Sequence, residues 1–163
     1  MNFLRHLKKI IPTVIAEAHC DIPCGIYDPM PAKIAAKTVA RMVQQLNELK
    51  APEDQNDANT LNQYHNSVLR RIAVKEDHAQ KCKEELLILW TDFFKSEHLE
   101  KFPNLHETFW QAAKLCSKNK QEVNADAAQE LIAAVDEIAR IFYEAKGTPE
   151  RYEAYKTITD KLY

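Results

Sequence analysis

Residues His19 to Pro29 read HCDIPCGIYDP and concentrate chemistry that the rest of the chain lacks: two of its four cysteines, one of its two glycines and two of its seven prolines. A cut between Ala18 and His19 would give His19 a free amine. That amine, the Cys20 amide nitrogen and the Cys20 thiolate can then close two consecutive five-membered chelate rings on one metal ion. Cys24, returned by the turn at Pro23-Cys24-Gly25, adds a second thiolate. A planar set of two nitrogens and two sulfurs suits Ni(II) or Cu(II) better than tetrahedral zinc, and the His19 imidazole is close enough to cap the plane axially. Thiolate donors stabilise a higher oxidation state, so such a hook could cycle by one electron. Without the cut, the same residues make an exposed turn carrying a C-x-x-x-C pair, a weak motif on its own.

The first eighteen residues, MNFLRHLKKIIPTVIAEA, bear on that condition. Arg5, Lys8 and Lys9 precede a short apolar patch, and Ala16-Glu17-Ala18 has the small-x-small form of a processing site. An export signal would carry a longer apolar stretch, unbroken by Pro12. Residues 1–18 therefore read as a removable leader, with a protease as implied partner and export the less favoured version; a frayed amphipathic helix is the bland alternative. Other metal chemistries lack their residues. No second Cys or His pair stands at zinc-finger spacing, and no Glu-x-x-His, the ferritin-like di-iron motif, occurs in the chain.

The elements that must position the hook are helical. The chain has 163 residues, two of them glycine, and a formal net charge of −2. Abundant Ala, Leu, Lys and Glu point to an all-α protein. No basic stripe suggests nucleic acid, and no apolar run approaches the roughly 20 residues of a membrane span. Cys82 and Cys116 are isolated in helical text, which favours buried thiols in a reducing, cytoplasmic setting over a disulfide framework. Pro29 and Pro31 open a first helix with apolar positions from Ile34 to Leu49. The longest periodic segment runs from Thr60 to about Lys95, on the order of 50 Å at 1.5 Å per residue, long enough to bend. Pro103 starts a third helix to about Ser117. Asn124 or Asp126 caps a fourth, which ends at Lys146-Gly147, and Thr148-Pro149 opens a short extra C-terminal helix. Four amphipathic helices with short connections predict an antiparallel four-helix bundle carrying the N-terminal hook. His65, His98 and His106 fall at surface or helix-end positions, Trp90 and Trp110 read as core or interface aromatics, and the helix lysines and arginines read as solvated.

HCDIPCGIYDP closely resembles the nickel hook of the nickel superoxide dismutase family, in which a leader is removed to expose the hook histidine. The resemblance continues through Lys75-Glu76, LWTDFFK (89–95) and HLEKFPNLH (98–106) to about Lys146, leaving 148–163 as an appended piece. It implies that residues 19–163 form a four-helix-bundle nickel superoxide dismutase assembled as a homohexamer. It implies one nickel ion per subunit, bound by the His19 amine and imidazole, the Cys20 amide and thiolate and the Cys24 thiolate. The implied reaction converts superoxide to dioxygen and hydrogen peroxide by Ni(II)/Ni(III) cycling. Asp21 can fix the turn by bonding backbone amides, Pro23 is a candidate cis proline, and Gly25 permits backbone angles denied to other residues. Tyr27 can stand beside the open face of the metal. Better-known members hold the axial imidazole through a Glu and an Arg; here Ala35 and His78 take those places, and Phe93 replaces a second tyrosine. His78 is the candidate partner for the His19 ring, directly or through water. The rival reading is a non-catalytic bundle whose hook carries or buffers nickel or copper.

Overall fold

The computed structural model describes residues 25–54 and 56–162, and every regular element among them is helical. The leader, the hook donors and the Ile22–Pro23 bond lie outside them. Helix α1 (Met30–Asn47) starts on Pro29, with Pro31 in its first turn. The Asp28 carboxylate accepts from the Met30 N–H at 2.9 Å and so closes the entry. Helix α2 (Ala58–Ile88) is capped by Asp57, whose side chain accepts from the Asn59 N–H. The expected single segment to Lys95 does not run straight through. At Leu89–Phe93 it widens into one π-helical turn, closed by the Phe94 N–H on the Leu89 carbonyl at 3.1 Å. The Thr91 hydroxyl donates to the Leu87 carbonyl there, a back-bond that bends helices. That wide turn is the predicted bend, and it re-aims Phe93 and Phe94 toward the core.

A short turn α3 (His98–Lys101), which the periodicity did not reveal, leads into α4 (Leu105–Gln121). Helix α5 (Ala125–Ala145) is capped by Asn124, whose side chain accepts from the Ala127 N–H at 3.0 Å. It ends in a bond from the Thr148 N–H to the Tyr143 carbonyl across Gly147, at φ 74. That pattern wants a left-handed residue and therefore glycine. Helix α6 (Glu150–Thr159) follows on Pro149.

Helix α1 packs on α2, α2 on α4, α4 on α5 and α5 back on α1, an up-down-up-down ring of four. Small residues Ala32, Ala36, Val39 and Val43 let α1 approach its neighbours closely, while Leu105, Phe109, Leu131, Val135, Ile138 and Phe142 fill the centre. Two lysines depart from the expectation of solvated helix faces. Lys33 is buried, with its ammonium on Asp136 at 2.5 Å. Lys75 is buried, with its ammonium donating to the last carbonyls of α4, Asn119 and Lys120. A buried ammonium needs such acceptors, and a helix C-terminus supplies carbonyls free of intrahelical partners. Among the described residues no helix is long and apolar enough to cross a membrane.

Candidate metal centre

The expected hook donors His19, Cys20 and Cys24, with Asp21, lie outside the described residues, which begin at Gly25. Gly25, next to Cys24, has φ 114, and a Cβ built there would meet nothing within 4 Å. The need for glycine is therefore in the backbone angle rather than in space. Two residues on, half-buried Tyr27 meets Phe93 edge-on, with ring centroids 6.2 Å apart. Asp28 then fastens the segment to two helices: one carboxylate oxygen takes the Met30 N–H and the other the Tyr143 hydroxyl at 3.3 Å. Burial, and then the Asp28 charge, push the Tyr143 hydroxyl up to about 12, so it remains a donor throughout the physiological range.

Tyr27 stands between two cavities. One, of about 200 Å³, is lined by Gly25, Tyr27, Phe93, Lys95, His98 and Lys146, with Asp92 and Glu97 also on its wall. The other, of about 290 Å³, lies between Tyr27, Pro31, Glu85 and Leu89. A larger cavity of about 560 Å³ lies between α1, α5 and α6 beside Lys33 and Asp136, and the hook's described end does not line it. Phe93 is packed against Phe142 at 4.4 Å and lies parallel to His98 at 5.9 Å. Ala35 is buried in α1 and presents no polar group. His78 lies on α2 about 15 Å before its end at Ile88. Its Nδ1–H donates to the Val74 carbonyl at 2.9 Å, with the Asp77 carboxylate 3.7 Å away. Whether it meets the His19 ring involves a residue outside the described range.

The donor set expected of the hook would fit nickel: thiolates and a deprotonatable amide give a strong planar field. The bundle supplies no rival set. Among the described residues no group of three or more His, Cys, Asp or Glu could hold a metal ion. Cys82 and Cys116 are free, fully buried thiols, and the Cys116 sulfur and burial push the Cys82 thiol well up, away from the thiolate a metal needs.

The model of the family "Nickel-containing superoxide dismutase" matches residues 14–146. The chain belongs to the nickel-containing superoxide dismutase family. It is 35% identical over 139 residues to the Superoxide dismutase [Ni] of Streptomyces seoulensis, a match covering 85% of this chain and 96% of that protein. It is 32% identical over the same coverage to the enzyme of that name from Streptomyces coelicolor. A native nickel superoxide dismutase structure superposes with a TM-score of 0.66 at 30% identity, covering 79% of this chain and 99% of that one. This chain is accordingly a nickel-dependent enzyme that converts superoxide to dioxygen and hydrogen peroxide. The family match ends at Lys146, so α6 lies beyond it.

His65 and His106 are exposed, and His106 accepts from the Trp90 indole N–H at 2.8 Å. Trp90 is half-buried, stacked on Phe109, whereas Trp110 is largely exposed. Reading the sequence residue by residue left Lys95, His98 and Lys146 as surface positions. The structure gathers them round the cavity beside Tyr27. Lys95 and His98 share one sequence signal, the dense FFKSEH run, Phe93 to His98, and Lys146 has only the helix stop at Gly147.

Proposed function

We propose that removal of residues 1–18 creates the nickel site, and that the His19 amine and imidazole, the Cys20 amide and thiolate and the Cys24 thiolate then hold one nickel ion per subunit. What carries this reading is the arrival of the HCDIPC segment at Gly25, a backbone position of positive φ on the wall of the cavity that Tyr27 borders. Nickel bound there supplies a one-electron couple able to take an electron from one superoxide and return it to another. The chain's own residues do the rest. Asp28 and Tyr143 hold the base of the hook against α5, and Asp21 and Pro23 shape its reversal. Tyr27, with Phe93 behind it, narrows the approach to small ligands. Loss of the leader removes three positive charges and one negative, so the net charge goes from −2 to −4. Overall charge therefore repels superoxide, and attraction must come from local positive groups such as Lys95 and Lys146 on the cavity wall.

His78 keeps Nε2 for the His19 ring, directly or through water, and serves where the usual carboxylate is replaced by Ala35. The active form is a homohexamer in the cytoplasm. Its support is the exposed apolar group Ile26, Ile34 and Ile88 around the base of the hook, which a partner subunit would cover. The test compares the full-length and His19-start forms by intact mass, nickel content and superoxide dismutation. Only the His19-start form should bind nickel stoichiometrically and dismutate. A full-length form that does both equally well refutes the amine-based chelate.

A further inference from the structure

We infer that helix α6 clamps the base of the hook, with Arg151 as a positioning residue that acts through Tyr143 and Asp28; this rests on the nickel hook proposed above. The family match ends at Lys146, so α6 is added to the bundle that the match covers. Segment 148–155 converges on one residue. The Thr148 N–H holds the Tyr143 carbonyl at 2.9 Å, the Arg151 guanidinium lies over the Tyr143 ring at 5.8 Å from its centroid, and the Tyr155 ring stands 6.0 Å away. Under this cover Tyr143 is 3% exposed, and its hydroxyl donates to the Asp28 carboxylate at 3.3 Å. Asp28 in turn ties the chain just after the hook to α1 and α5.

The path of the effect is short. A hydrogen bond shielded from water is electrostatically stronger than an exposed one, and the α6 side chains keep water off the Tyr143 ring. Burial, and then the Asp28 charge, hold the Tyr143 proton tightly. The Arg151 charge draws it the other way and so makes the phenol a readier donor. Asp28 stands four residues after Cys24, about 14 Å of chain at full stretch. A donor that lets go of the metal on so short a tether stays near it, and it returns the sooner the better its anchor holds. Arg151 makes no ion pair among the described residues, so replacing it strands no carboxylate. Tyr155 is a less clean probe, because its hydroxyl also donates to Asp136.

The test follows nickel loss to excess EDTA from the processed, nickel-loaded chain. Tyr143→Phe should speed it about 10-fold, the scale of a hydrogen bond to a charged group. Arg151→Gln should speed it about 3-fold, the scale of an exposed cation–π contact. Arg151→Lys, which keeps a cation over the ring, should restore most of that loss. In the Tyr143→Phe background Arg151→Gln should add nothing, since its effect runs through the hydroxyl. A second readout needs no metal. In the metal-free chain, exchange of the Met30 amide, which donates to Asp28 at 2.9 Å, should quicken in Arg151→Gln and more so in Tyr143→Phe. Wild-type nickel retention in Arg151→Gln, a loss that Arg151→Lys does not restore, effects that multiply in the double variant, or a Met30 amide indifferent to both changes each overturn the clamp. A wild-type chain that takes up no nickel refutes the hook reading instead, and the Met30 exchange then still decides the clamp.

Discussion

Replacing Asp136 by alanine should be among the most damaging single changes available far from the hook. Its carboxylate accepts from the Lys33 ammonium at 2.5 Å, the Lys156 ammonium at 3.0 Å and the Tyr155 hydroxyl at 3.2 Å, and so ties α1, α5 and α6 together. The Lys33 side chain is 1% exposed. Without Asp136 its charge is left buried and unpaired, which costs about 3–5 kcal/mol. At roughly 2–4 °C per kcal/mol for a chain of this size, the melting temperature should fall by about 12 °C. The sign of the pH effect follows from the same burial. Desolvation already holds Lys33 below its ordinary 10.5, so the unfolded chain binds the extra proton in the window beneath that value. That destabilisation is present in full at low pH and is relieved as pH rises toward 10.5. Loss of Asp136 widens the window downward, so the deficit of Asp136→Ala should shrink between neutral and alkaline pH. The double variant Lys33→Met/Asp136→Leu, which removes both charges, should regain most of the lost stability. Thermal melts by circular dichroism across pH, with nickel content measured in parallel, check all three. A single variant melting within about 2 °C of wild type, or a double variant no better than the single, would refute the buried-pair argument.

Two further outcomes bear on the hook. Cys20→Ser and Cys24→Ser should each abolish dismutation, because a hydroxyl cannot supply the electron density of a thiolate, whereas Cys82→Ala, a fully buried thiol, should keep its activity per bound nickel; rate and nickel measured on the same samples decide it. Gly25→Ala should cost about 1–2 kcal/mol from a positive φ that alanine resists. Its effect should be read as weaker nickel retention against a chelator, and unchanged retention would show that the turn can relax.

The parts of this molecule legible in its sequence are those set by short-range geometry. The proposed chelate would be local in the same way, since its five-membered rings would close through adjacent atoms of His19 and Cys20, but its donors lie outside the described residues. Helix starts at Pro29, Asn124 and Pro149 and the stop at Gly147 depend on single residues whose backbone limits are known in advance. What depends on two distant segments was not legible. Lys33 and Lys75 look like surface lysines in a helical pattern, and only the approach of Asp136 and of the α4 C-terminus makes their burial tolerable. The π-helical turn at Leu89–Phe93 was legible only as a bend, because it keeps the apolar residues that a straight helix would also have.

The division between the two kinds of information also divides the site. The proposed hook would draw its donors from one short stretch, but admitting a small anion while excluding larger ligands asks for walls from several elements. The cavity beside Tyr27 draws on residues 25 and 27, on 92–98 and on 145–146, three segments joined only by folding. Phe93 belongs to that wall and is held in place by its packing on Phe142. Ala35, buried in α1, lines neither cavity beside Tyr27. The titratable side chains the fold brings to the cavity are Tyr27, Asp92, Lys95, Glu97, His98 and Lys146. Four of these six sit on the π-helical turn, the short helix after it and the link between them, where the helical period breaks and the sequence pattern gives no register to read.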